Sequence, residues 1–82
     1  ASKLDYKEQK RIESEKRKLQ NQITKIEEQI DILENKKSLI NDEFLKPENM
    51  TNSAKLNELT AAQKDIEQEL DQLYQEWEKL NS

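Results

Sequence analysis

The chain has 82 residues, 32% apolar and 39% charged, with 14 Lys and Arg against 18 acids for a net charge of −4, and it contains no Gly, Cys or His. So little apolar matter cannot fill an ordinary globular core at this length, and without Gly no phosphate-cradling loop can form. Lacking Cys and His, the chain has neither a disulfide framework nor the usual zinc ligands, and it contains neither a membrane-spanning apolar run nor the apolar stretch of a signal peptide.

Such low hydropathy also suits disorder. Here, however, Ile and Leu recur every three and four residues from Ile12 to Phe44 and again from Leu56 to Leu80, a spacing that disordered chains do not keep. The pattern predicts an all-α chain. Asp5 and Glu8 have the spacing of a capping box, so the first helix is expected over about residues 5–45. With Ile23 taken as heptad position a, Ile30 and Phe44 also fall at a, and Ile12, Leu19, Ile26, Leu33 and Ile40 fall at d. Lys16 and Lys37 are polar a positions, expected to lay their methylenes along the seam and to restrict register or oligomer choice. Ile32 and Leu39, both at c, are expected to widen the interface or to mark a docking patch.

Pro47 disfavours helical dihedrals at Lys46, and the run Pro-Glu-Asn-Met-Thr-Asn-Ser supplies turn formers, so a turn is expected over about residues 46–52. The second helix follows Asn52 or Ser53 and is expected over about residues 53–81, with Leu56, Leu70 and Trp77 at a. Leu59, Ile66, Leu73 and Leu80 fall at d, and Gln63 is its polar a. Trp77 is expected in the seam, not on a stacking platform; Tyr6 and Tyr74 at e are expected to pack half-buried with solvated hydroxyls.

A turn this short makes the helices antiparallel neighbours. Residues 1–82 therefore read as one domain, an antiparallel two-helix coiled-coil hairpin. Reflection about residue 48 pairs Ile40 with Leu56, Ile30 with Ile66 and Leu19 with Trp77. A seven-residue slip would instead face Ile26 with Trp77 and give Lys36 a partner in Glu69. The longer first helix is expected to project from Ser2 to about Glu15, and so narrow a seam should leave the hairpin marginally stable.

Charge is unevenly placed. Residues 1–25 hold eight Lys and Arg against four acids, net +4, whereas residues 26–82 hold six against fourteen, net −8. Between Lys3 and Lys25 the outward b, c and f positions carry Lys3, Lys7, Lys10, Arg11, Arg17, Lys18 and Lys25 and no acid; Asp5, Glu8, Glu13 and Glu15 fall at d, e or g. Past Lys25 the outward arc turns to Glu28, Asp31 and Asp42. At 1.5 Å per residue the stripe is about 33 Å long, enough to follow several phosphates with salt-sensitive, sequence-independent affinity. The alternative is a solvated helix face. No Asn, Gln and Arg cluster interleaved with aromatics points to base readout, so the backbone of DNA or RNA is the expected contact. The carboxylates lie on exposed faces without a pocket to shift their pKa values. No catalytic, cofactor-binding or metal site is expected, and the fragment alone is not expected to be an enzyme.

Lys3-Leu4-Asp5-Tyr6-Lys7-Glu8-Gln9 resembles the K-L-S-Y-K-E-Q opening of the C-terminal domain in ABC-F ATP-binding cassette proteins of the Uup type. Pro47-Glu48 resembles that domain's D-P turn, and Leu73-Tyr74-Gln75-Glu76-Trp77-Glu78-Lys79-Leu80 resembles its closing L-Y-x-R-W-E-x-L. Asp5 stands where the family has Ser, Glu13-Ser14-Glu15 lacks the Pro that often bends the family's first helix, and Glu76 replaces an Arg. The missing Pro predicts a straighter helix. The resemblance implies a cytoplasmic parent with two cassettes that hydrolyse ATP with Mg, commonly on the ribosome, and an appended hairpin associated with DNA binding in the Uup type. It also implies upstream cassettes of the same chain as partners, together with DNA or rRNA, and no membrane. Opening without Met, the chain is expected to be a piece of such a protein. A structural or self-associating coiled coil with no nucleic-acid role is the alternative.

Overall fold

The computed structural model describes residues 3–82, with side chains from Asp5 onward; the expected start of the projection at Ser2 and the Lys3 side chain lie outside the described residues. All regular structure among them is helical, in three elements: α1 (Lys3–Phe44), α2 (Pro47–Met50) and α3 (Ser53–Asn81). Asp5 sits within the first turn of α1, so the Asp5 and Glu8 pair does not mark its start. With neither Gly nor Pro among its 42 residues, α1 runs unbroken for about 63 Å at 1.5 Å per residue. The whole molecule measures 73 × 15 × 15 Å. That cross-section is two helices wide, given about 10 Å between packed axes, and leaves no room for a sharp bend.

The connection is not a bare turn. Pro47 occupies the start of α2, where its fixed φ is already helical and its missing N–H would have had no partner. Lys46 before it is extended at φ −71°, ψ 128°, as a residue preceding Pro prefers. Asn52 caps α3, its side-chain oxygen accepting from the Lys55 N–H at 3.1 Å. Between them Asn49 is 7% exposed, the one buried polar residue among those described. Its Nδ2 donates to the Glu43 backbone carbonyl at 2.8 Å and to the Glu43 carboxylate at 3.1 Å. The tip is thereby tied to the last turn of α1 at the Glu43 carbonyl, which also accepts the Lys46 N–H at 3.3 Å.

Ile26, Ile30 and Leu70 are buried together, with Leu33, Ile66, Leu73, Trp77 and Leu80 packed on them. Every a and d residue from Ile23 to Phe44 and from Leu56 to Leu80 is at least partly shielded, Lys37 and Gln63 included. Ile32 and Leu39 are 54% and 64% exposed, so they do not widen the interface.

The partners fix the register. Gln63 donates to Asn41 at 3.2 Å and the Tyr74 hydroxyl donates to Glu34 at 3.1 Å. Trp77 lies beside Glu27, Ile30 and Asp31, and Leu80 beside Ile26. These are neighbours of the slipped register, not of the one pairing Leu19 with Trp77. The cause lies at the tip: α2 contacts both long helices, so α3 begins past the end of α1 instead of beside it. The described ion pairs all join residues three apart, and Lys36 with Glu69 is not among them.

Candidate nucleic-acid interface

Register decides how much of α1 is left uncovered. Every residue from Asp5 to Gln22 is exposed, so the free segment continues about one heptad beyond the Glu15 limit expected from the other register. It stays helical throughout and is about 27 Å long at 1.5 Å per residue. Leu19 and Ile12, at d, are 39% and 45% exposed because α3 does not reach them. Lys16 at a is exposed as well.

Lys7, Lys10, Arg11, Arg17 and Lys18 all stand exposed on this segment. Lys25 stands at its base, where it lines a groove with Gln22, Ile26, Gln29, Glu76 and Lys79. Glu76, which replaces the family's Arg, thus brings an acid to the one stripe cation that borders α3. Two further cations have local contacts. Arg11 lies 3.5 Å from Glu8, both largely exposed, and Lys10 Nζ is 5.0 Å from the centroid of the Tyr6 ring. An exposed pair three residues apart contributes little, and a cation–π contact at an exposed site is weak. Neither contact withdraws its cation from a phosphate.

Protonation is perturbed at the tip and beside the seam. Hydrogen bonds from Lys46 at 2.6 Å and from Asn49 hold the Glu43 carboxyl below the ordinary range, and Glu43 in turn raises Lys46. The bond to Glu34 raises the Tyr74 hydroxyl, so that hydroxyl is engaged by protein and not merely solvated. Trp77 packs in the seam, its a position. Among the described residues no group of three or more His, Cys, Asp or Glu is placed to hold a metal, and no helix is long and apolar enough to cross a membrane. Sequence reasoning missed Asn49; the available signal was Pro47, read as a breaker although Pro also favours the first position of a helix.

No curated protein and no solved structure matches the chain. A family model described as ABC transporter C-terminal domain matches residues 3–82, in agreement with the resemblance to the C-terminal domain of ABC-F proteins of the Uup type. The opening, turn and closing motifs all fall inside the matched range, and the chain belongs to the ABC transporter C-terminal domain family.

Proposed function

We propose that this domain is an antiparallel two-helix coiled-coil hairpin that holds a basic helix against the backbone of DNA or rRNA. Cassettes elsewhere in the same cytoplasmic protein would bind ATP and Mg. The hairpin is supported by cross-helix neighbours that run in opposite directions, Asn41 with Gln63 and Glu34 with Tyr74. The nucleic-acid role rests on one observation: a free helical segment with Lys7, Lys10, Arg11, Arg17 and Lys18 exposed and no acid among its b, c and f positions. With six described cations, Lys25 included, each meeting one phosphate, affinity for duplex DNA should fall with a log–log salt slope of about −5.

Fluorescence anisotropy with mixed-sequence duplex DNA and duplex RNA at stepped salt tests this. Lys10→Glu, Arg17→Glu and Lys18→Glu together are expected to abolish binding, with helix content unchanged by circular dichroism. Equal binding by that triple variant would retire the reading. The self-association alternative draws on exposed Ile12 and Leu19; it expects a dimer by sedimentation equilibrium and no mobility shift with either duplex.

A further inference from the structure

We propose that α1 and α3 possess a second register one heptad from the observed one, and that Asn49 holds them in the register seen, whatever the basic face binds. Moving α3 seven residues toward the start of α1 keeps every a and d residue in the seam, because the repeat has that same length. Both cross-helix hydrogen bonds then find substitutes. Tyr74, now bonded to Glu34, would meet Glu27, and Gln63, now bonded to Asn41, would meet Glu34. Glu27, Glu34 and Asn41 all stand at e and form a rack of acceptors at heptad spacing.

Apolar matching also improves in the second register. Leu80, now beside Ile26, would cover Leu19, which is 39% exposed.

The tip favours the opposite choice. Asn49 is buried with its Nδ2 bonded twice to Glu43, and α2 packs on both long helices. A heptad slide would bring Ser53 level with about Lys46, turn residues 46–52 into a plain loop of ordinary length and break both Asn49 bonds. Seam and tip therefore prefer different registers, and the clamp at Asn49 selects the observed one. In the other, the free segment of α1 would shorten by about 10 Å, bringing Arg17 and Lys18 to the edge of the paired region.

Spin labels at Ser14→Cys and Glu78→Cys, both exposed helical positions in a chain without other Cys, read register as a distance by double electron–electron resonance. Excess unlabelled chain restricts the signal to intrachain pairs. Asn49→Ala is expected to raise a second distance about 10 Å shorter, its share growing roughly tenfold with the loss of two hydrogen bonds. Asn49→Asp keeps the side-chain shape without the donor, in case Ala unravels the tip. One unchanged distance in both Asn49 variants overturns the proposal. So does loss of helix in both, since a second register would have kept the helices paired.

Discussion

Glu43 sits where three hydrogen bonds converge: Lys46 and Asn49 both donate to its carboxylate, and Asn49 also donates to its backbone carbonyl. These bonds favour the ionised carboxyl and lower its pKa below the ordinary 4.5. For a carboxylate lowered on folding, the stabilisation is complete above the unfolded value and is lost as pH falls through the folded one. Lys46, raised by the same pair, stays charged over that interval. Acidification below the ordinary carboxylate range is therefore expected to open the tip before the seam. Amide hydrogen exchange at Asn49 and Asn52 measured against pH checks this, and Glu43→Gln should flatten the profile. A carboxyl resonance of Glu43 titrating at its ordinary value would refute it. Little of this was legible in the sequence, because Asn and Glu near a Pro ordinarily mean a solvated turn, and nothing local reveals that Asn49 is buried.

At the scale of elements, the periodicity of α1 and α3 states which side chains face inward but not which ones meet. Heptad spacing is unchanged by a seven-residue displacement, so Ile23 to Phe44 and Leu56 to Leu80 are legible as a seam whereas Leu19 is not legible as exposed. Only the tip breaks that degeneracy. Ile30→Ala and Leu70→Ala empty buried positions and should each cost about 2–5 kcal/mol, comparable with the whole stability of a small fold. Leu19→Ala and Ile12→Ala, on the uncovered segment, should stay within about 0.5 kcal/mol of the parent. Urea titration followed by circular dichroism separates the two pairs. A Leu19→Ala variant as unstable as Ile30→Ala would mean that α3 reaches Leu19 in solution.

Across the whole molecule, a rod 73 Å long carries net +4 in residues 1–25 and net −8 in residues 26–82. A net charge of −4 opposes contact with nucleic acid, but distance and screening decide how much of the acidic body the free segment feels. The Debye length is about 8 Å at 0.15 M salt. Asp31 lies about 9 Å along the axis from Lys25, whereas Asp42 lies about 25 Å away. Nearby acids therefore oppose binding and remote ones are screened. Glu28→Gln with Asp31→Asn is expected to strengthen duplex binding a few-fold at physiological salt, while Asp65→Asn with Glu67→Gln, far along α3, leaves it unchanged. At about 0.01 M salt the screening length grows to about 30 Å, and the remote pair should begin to matter as well. Anisotropy titrations of both variants at the two salt concentrations decide it. Equal effects of the near and remote pairs at physiological salt would place the bound phosphates along the body of the rod and not on its free basic segment.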